Sequence, residues 1–200
     1  MQNQVFNLRA IVCAGLLSPW LATVSHAASF DCSKAAAGSI EELVCKTPAL
    51  SAQDEQLAKV YQQALAKAKN EHPPTLKAEQ RGWLKGRDEC WKADDKTHCV
   101  SDAYQQRIAE LQARYQLLPG KGPVRYVCDN QPGKEVLATF YATEPPTLIA
   151  ELGDSTSLMY AQPSASGSQY QGRNESFWEH QGEATVVWGY EAPPMKCVRQ

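Results

Sequence analysis

Pro119-Gly120-Lys121-Gly122-Pro123 divides the 200-residue chain into two parts with different hydrophobic periods. Two prolines and two glycines in five residues do not continue a helix, so residues 119–123 are predicted to form a linker. Apolar residues recur at helical spacing before this linker and with a period of two after it. The sequence therefore predicts an α+β protein of two domains, with a small helical domain over residues 28–118 and a small β domain over residues 124–200.

The helical half is predicted to contain four short helices. Ser39 and Glu42 form a capping box at the start of the first helix, and Ser51, with Asp54 three residues on, caps the second. The second helix stops at His72-Pro73-Pro74. The inner faces of the last three helices are predicted to consist of Leu57, Val60, Tyr61, Ala64, Leu65 and Ala68; of Leu76, Gln80, Trp83, Leu84 and Arg87; and of Val100, Ala103, Tyr104, Ile108, Leu111, Tyr115 and Leu118.

The half after the linker is predicted to consist of short strands separated by Gly, Pro, Asn, Asp or Ser. Its β-branched and aromatic runs cover residues 124–128, 135–141, 147–151, 155–161, 168–170, 177–180 and 185–190. This spacing is typical of an antiparallel barrel or sandwich.

Residues 1–27 have the pattern of a cleaved secretory signal. Arg9 is the one charged residue of the first nine, residues 10–24 are mostly apolar, and Ser25-His26-Ala27 places small residues where a signal peptidase cuts. The apolar run is broken by Ser18-Pro19 and is shorter than the roughly 20 residues that span a bilayer. We therefore expect a periplasmic protein without a stable membrane anchor.

Cleavage after Ala27 would remove Cys13 and leave an even number of cysteines: Cys32, Cys45, Cys90, Cys99, Cys128 and Cys197. In an exported chain these predict three disulfides, because the compartment is oxidising. Scattered histidines and the lack of C-x2-C argue against a metal site. The favoured pairs are Cys32–Cys45, Cys90–Cys99 and Cys128–Cys197, although Cys45 could also pair with a later cysteine of the helical half.

The charge balance argues against a nucleic-acid partner. The formal net charge is -2, and binding to phosphates needs a concentrated basic surface. The β half is the acidic one, with six Lys and Arg against nine Asp and Glu over residues 120–200. This bias either serves solubility or steers association with a basic partner.

Catalytic motifs are scarce in this sequence. It contains no Gly-rich phosphate loop, no G-x-S-x-G and no H-E-x-x-H. Ser166 and His180 could form a nucleophile–base pair, but no third group that would orient the base is identifiable. We therefore predict a protein that is not an enzyme and that needs no cofactor.

Three ordered stretches of the β half resemble a known family. They are Tyr126-Val127-Cys128, Ser164-Ala165-Ser166-Gly167-Ser168-Gln169-Tyr170 and Phe177-Trp178-Glu179-His180-Gln181-Gly182-Glu183-Ala184, and Cys197 follows them. Together they resemble the MliC/PliC family of bacterial inhibitors of chicken-type (c-type) lysozyme, over nearly all of residues 124–200. The resemblance implies an eight-stranded antiparallel barrel whose first and last cysteines are joined, which supports Cys128–Cys197.

The same resemblance implies a binding site. In that family a loop with the pattern S-A-S-G-x-x-Y enters the lysozyme cleft, where a serine approaches the catalytic carboxylates and a lysine of a following W-x-K-G segment contacts the same site. Carried over by position, the lysozyme-binding residues are Ser164, Ser166, Gly167, Tyr170 and His180.

His180 departs from the family pattern, because it stands where the family has its lysine. A lysozyme cleft presents a protonated glutamic acid and an ionised aspartate. Lysine adds a permanent cation there, whereas a histidine side chain is ordinarily protonated only below about pH 6.5. We therefore expect inhibition that is weaker, or more acid-dependent, than that of a lysine-bearing relative, unless His180 is simply a surface residue of a strand.

The helical half has a resemblance of its own. Phe30-Asp31-Cys32, Glu42-Leu43-Val44-Cys45, Glu79-Gln80-Arg81-Gly82-Trp83-Leu84-Lys85-Gly86-Arg87-Asp88-Glu89-Cys90 and Tyr104-Gln105-Gln106-Arg107-Ile108 resemble the LprI-like family of exported helical domains. The resemblance covers most of residues 30–118, and at least one member is associated with lysozyme inhibition. Arg87 and Arg107 are either interaction residues or, more simply, partners of nearby acids that hold the helices in place.

The functional hypothesis is an exported inhibitor of c-type lysozyme that protects peptidoglycan. Two other classes stay open: a non-inhibitory envelope module that binds peptidoglycan or a periplasmic protein, and a hydrolase that uses Ser166. The sequence leaves the oligomeric state open.

Overall fold

The computed structural model describes residues 28–72 and 74–200, so the predicted signal segment, with Cys13, lies outside the described residues. The helices are α1 (Ile40–Lys46), α2 (Pro48–Lys67), α3 (Leu76–Asp88) and α4 (Lys96–Arg114). The strands that follow are β1 (Gly120–Cys128), β2 (Glu135–Tyr141), β3 (Thr147–Leu152), β4 (Ser155–Gln162), β5 (Ser168–Gln171), β6 (Glu175–His180), β7 (Glu183–Trp188) and β8 (Met195–Arg199). The α+β architecture predicted from the sequence is confirmed.

The starts of the first two helices differ in how well the sequence predicted them. Ser39 caps α1 as predicted and accepts a hydrogen bond from the Glu42 N–H at 3.1 Å, while the Glu42 carboxylate binds the N–H of Gly38. The predicted Ser51 cap is wrong, because α2 begins earlier, at Pro48, and proline suits a first turn where no N–H donor is needed. Ser51 lies inside α2, where its hydroxyl donates to the carbonyl of Val44 at 2.7 Å.

The four helices pack around a small apolar core that two disulfides reinforce. Cys32–Cys45 ties the segment before α1 to that helix, and Cys90–Cys99 ties the turn after α3 to α4. Both pairs are those that the sequence favours. The buried core residues are Ile40, Val44, Leu50, Leu57, Val60, Ala64, Leu76, Cys90, Val100, Tyr104, Ile108 and Leu111.

Buried polar side chains cross-link the same helices. The Tyr104 hydroxyl donates to Asp54 at 2.9 Å and accepts from the Arg87 guanidinium at 2.8 Å. Arg87 also binds Asp88, and Arg107 binds Gln80 and Glu110. Both arginines are buried, so they hold the helices together.

Strands β1 to β8 form a closed antiparallel barrel in which each strand pairs with its sequence neighbours and β8 returns to β1. Strand β8 is absent from the runs predicted from the sequence. Cys128 and Cys197 are direct partners across the β1–β8 seam and form the third disulfide. The barrel has its own core, formed by Tyr126, Cys128, Val136, Ala138, Leu148, Ala150, Met159, Phe177, Ala184, Val186, Met195 and Cys197.

The stretch predicted to be a linker belongs largely to β1, which starts at Gly120. Gly120 and Lys121 pair with β2, and the register then shifts before pairing resumes at Val124. Gly122 has a φ of +137°, and proline at 123 provides no N–H, so this segment interrupts the ladder without ending the strand.

The two halves are in contact through α4. This helix packs against β3, and the hydroxyl of Tyr160 on β4 donates to the carbonyl of Gln106 at 3.2 Å. Ala109 and Ala113 follow Gln106 at helical spacing and are fully buried, although they belong to neither core. In a closed ring of eight strands, β7 is opposite β3, so the helical half leaves the outer face of β6–β8 uncovered.

Candidate functional site

A surface depression of about 650 Å³ lies on the outer face of β6–β8. We call it the β6–β8 depression. Its lining combines strand residues with the neighbouring loops, and consists of Asp129, Asn130, Ser166, Trp178, His180, Glu183, Ala184, Thr185, Lys196, Cys197 and Val198. The structure thus brings two of the predicted site residues, Ser166 and His180, to one concave surface.

Residues 163–167, here called the serine loop, connect β4 to β5 and are fully on the surface. The Ser164 hydroxyl donates to the carbonyl of Ser166 at 2.6 Å. Trp178 lies on β6, the strand that pairs with β5, and its indole N–H donates to the same carbonyl at 3.0 Å. These two bonds fix the backbone of Ser166, and its hydroxyl makes no hydrogen bond to any other described residue.

Gly167 allows the serine loop to lie close to β6. Its φ is +67°, a left-handed conformation that glycine adopts without steric cost. A Cβ atom at this position would lie 2.1 Å from the carbonyl oxygen of Glu179 and 3.1 Å from the Cβ of His180. The loop therefore requires glycine at 167, next to His180.

His180 is exposed at the end of β6. A tight turn follows, with Gln181 at φ +52° and Gly182 at φ +87°, and the Glu179 carboxylate accepts from the N–H of Gly182. His180 is directly opposite Glu183 on β7. Although His180 and Ser166 line one depression, no hydrogen bond joins their side chains among the described residues, so the geometry adds no support for a nucleophile–base pair.

Tyr170 is placed differently from the other predicted site residues. Its ring is 5.7 Å from that of Phe140 between centroids, and it packs against the barrel core instead of lining the depression. Burial, with a smaller contribution from Glu179, raises the pKa of its hydroxyl. Tyr170 therefore anchors β5 against the barrel core, while Ser164 and Gly167 shape the loop before that strand.

Several lining residues were not among the sites predicted from the sequence. Trp178 is 46% exposed and Val198 is 45% exposed, so both present apolar surface at the depression. Lys196 alternates with the buried Met195 and Cys197 along β8. The alternation of Lys196 with apolar residues is visible in the sequence. It places Lys196 on the outer face of the barrel only once residues 195–199 are recognised as a strand.

The depression has both acidic and basic groups. The Asp129 carboxylate already accepts two hydrogen bonds, from the Lys134 ammonium at 2.7 Å and from the Lys196 backbone N–H at 3.0 Å. The Lys134 ammonium, with the Lys196 N–H, lowers the pKa of the Asp129 carboxyl. Within the described part of the chain, the Lys196 ammonium is in no ion pair.

Two other kinds of site have no candidate within residues 28–72 and 74–200. No cluster of three or more His, Cys, Asp or Glu side chains there could hold a metal ion. No helix in that part is both long and apolar enough to cross a membrane.

Comparison with known proteins gives two family matches. Residues 126–195 match the family model described as membrane-bound lysozyme-inhibitor of c-type lysozyme, and residues 32–111 match the one described as lysozyme inhibitor LprI. Among curated proteins, the chain is similar to lipoprotein LprI of Mycobacterium bovis and of Mycobacterium tuberculosis. Each is 30% identical over 158 residues, which cover 79% of this chain and 78% of the relative. Both resemblances drawn from the sequence are confirmed.

Proposed function

This chain belongs to the LprI family, and we propose that it is an exported inhibitor of c-type lysozyme that inserts its serine loop into the active-site cleft. In this proposal the barrel provides the inhibitory surface and the chain performs no catalysis of its own. The two domains are the helical half, residues 28–118, and the barrel, whose first strand starts at Gly120, and the partner is a lysozyme that would otherwise cleave peptidoglycan.

The observation that carries the proposal is the exposed serine loop beside the β6–β8 depression. The bonds from Ser164 and Trp178 to the Ser166 carbonyl hold the loop in one shape, so little ordering would be required on binding. Trp178 and Val198 supply apolar contact at the rim, and tryptophan is a frequent energetic centre of protein interfaces.

The chemistry of the Ser166 hydroxyl suits the target. A lysozyme cleft contains a glutamic acid kept protonated by an apolar pocket and an ionised aspartate nearby. A serine hydroxyl accepts from the first and donates to the second. Because inhibition of this kind needs only shape, hydrogen bonds and exclusion of water, no cofactor is required.

The fold also supports an exported location. The chain has three disulfides, and disulfides form and persist mainly where the environment is oxidising, as in the periplasm or outside the cell. The curated relatives are named lipoproteins. We therefore propose that the chain is exported and acts beside the peptidoglycan.

The direct test is lysozyme turnover in the presence of purified residues 28–200. We expect inhibition of c-type lysozyme and at least a tenfold weaker inhibition by Ser166→Ala. Ser155→Ala is the matched control, because Ser155 is an exposed serine in β4 and is not among the residues that line the β6–β8 depression.

Three outcomes would overturn the proposal. Absence of inhibition together with binding to purified peptidoglycan would favour the envelope-module alternative. Labelling of Ser166 by a serine-directed covalent probe would favour a hydrolase. Equal inhibition by the unaltered protein and by Ser166→Ala would show that the Ser166 hydroxyl does not contribute to binding lysozyme, against the proposed mechanism.

A further inference from the structure

We propose that Lys196 on β8 supplies the cation that binds the ionised carboxylate of the lysozyme cleft, at a site where His180 stands in the position of the family lysine. This inference rests on the proposed function. It assigns a specificity-determining role to a residue far from the serine loop in sequence.

Strand register brings Lys196 to the serine loop. Lys196 is the direct partner of Thr185 on β7, and Thr185 is the direct partner of Trp178 on β6. Neighbouring strands lie about 4.8 Å apart, so the Cα atoms of Lys196 and Trp178 are roughly 10 Å apart across the depression. Trp178 in turn donates to Ser166, so Lys196 and the serine loop are at two sides of one surface.

The local charges leave the Lys196 ammonium available. Asp129 lines the same depression, but its carboxylate accepts from the Lys134 ammonium and from the backbone N–H of Lys196. Glu183 is across from His180, not Lys196. In the described residues, no ion pair therefore competes for the Lys196 side chain.

The backbone at Lys196 is fixed, which suits a binding residue. Its N–H is held by Asp129, it pairs with Thr185, and the adjacent Cys197 is anchored by the disulfide to Cys128. Only the side chain has to be ordered when a partner binds. A long flexible ammonium on a rigid strand can then reach a carboxylate within the cleft.

The proposal predicts a particular pH dependence. A lysine side chain is cationic from pH 5.5 to 8, whereas a histidine loses its charge as pH rises through that range. The groups that face His180 in the depression are Glu183, Lys196 and Asp129. The cation that the proposal assigns to the site is a lysine ammonium rather than an imidazolium, so the loss of Lys196 should matter most at pH 8.

The experiment measures inhibition constants against c-type lysozyme at pH 5.5 and pH 8 for the 28–200 protein and for Lys196→Gln, Lys196→Arg and Lys121→Gln. Lys121 is exposed on β1, outside the β6–β8 depression, and its replacement removes the same charge. We expect Lys196→Gln to weaken inhibition about tenfold or more at pH 8 and less at pH 5.5. Lys196→Arg should retain most of the inhibition.

The outcomes separate this inference from the proposed function. If the 28–200 protein does not inhibit lysozyme, the proposed function fails. If it inhibits and Ser166→Ala weakens it, but Lys196→Gln behaves as Lys121→Gln does at both pH values, only the role of Lys196 is overturned. Thermal unfolding of each variant, followed by circular dichroism, checks that the barrel remains folded.

Discussion

Gly167 determines the shape of the serine loop because no side chain fits between the loop and β6. We predict that Gly167→Ala weakens lysozyme inhibition at least tenfold while the barrel still folds. The added Cβ would lie 2.1 Å from the Glu179 carbonyl oxygen, and the positive φ adds strain, so the loop has to move. Inhibition assays with the 28–200 protein measure the loss, and Gly133→Ala is the control, since a Cβ there meets nothing within 4 Å. Undiminished inhibition by Gly167→Ala would contradict a rigid serine loop.

Trp178 acts on the same loop through a single hydrogen bond. We predict that Trp178→Phe weakens inhibition by roughly three- to tenfold, because the aromatic ring remains but the donor to the Ser166 carbonyl is lost, and one hydrogen bond contributes about 1 kcal/mol. The measurement is the inhibition constant. Trp91→Phe is the control, because Trp91 is 58% exposed in the helical half. A similar change in both variants would show that the bond to Ser166 is unimportant.

Only part of the candidate site could be predicted from single residues. Ser166 and His180 were found by position in a family pattern, and they line the same depression. Lys196 and Val198 could not be found in this way, because strand pairing across β7 brings Lys196 level with Trp178 and Val198 level with His180. Tyr170 belongs to the same family pattern, but its ring contacts Phe140 in the barrel core.

At the scale of elements, local signals predicted most of the fold. Seven of the eight strands were predicted by alternating apolar residues and turn-forming neighbours, and the helix start at Ser39 by its cap. Strand β8 was missed because its five residues follow two prolines and include the charged Lys196 and Arg199. Ser51 was assigned to a helix start because its pattern is that of a cap, yet α2 already starts at Pro48 and the Ser51 hydroxyl donates to Val44 instead.

The Cys128–Cys197 disulfide between β1 and β8 is predicted to stabilise the protein more than the Cys90–Cys99 disulfide of the helical half. In the loop-entropy model, a separation of 69 residues gives about 4 kcal/mol and a separation of nine gives about 2.5 kcal/mol. We therefore expect Cys128→Ala/Cys197→Ala to lower the free energy of unfolding of the protein more than Cys90→Ala/Cys99→Ala does. Urea denaturation under oxidising conditions measures both, and equal losses would refute the expectation.

At the scale of the whole molecule, buried tyrosines in both halves make the fold sensitive to alkali. Burial raises the pKa of Tyr115 to about 12, with Glu71 adding to the shift, and it raises the pKa of Tyr104, Tyr126 and Tyr160. The folded protein thus keeps these phenols neutral. Their contribution to stability is complete below the ordinary tyrosine pKa of about 10 and declines as pH rises above it.

We therefore predict that stability falls between about pH 10 and 12, and that the buried phenols ionise together with unfolding. Tyrosinate absorbance and far-ultraviolet circular dichroism, recorded on one sample during alkaline titration, provide the comparison. Complete ionisation of all tyrosines while the circular dichroism stays native would contradict it.

The contact between the two halves lies on the side of the barrel away from the β6–β8 depression. Breaking this contact should therefore leave the depression intact. Ala109 is fully buried on the face of α4 that carries Gln106, whose carbonyl accepts from Tyr160. Ala109→Glu would place an unpaired charge there, at a cost of several kcal/mol if the contact stayed closed. We expect the halves to separate and to unfold in two calorimetric transitions instead of one.

Lysozyme inhibition should nevertheless stay within about threefold of the unaltered protein, since the serine loop, Trp178 and Lys196 all belong to the barrel. Thr97→Glu, an exposed change on the same helix, is the control for the added charge. If Ala109→Glu abolished inhibition while the barrel kept its own transition, the helical half would have to contribute directly to binding lysozyme. Retained inhibition would instead assign that half a structural role, as the buried pairing of Arg87 and Arg107 with neighbouring helices indicates.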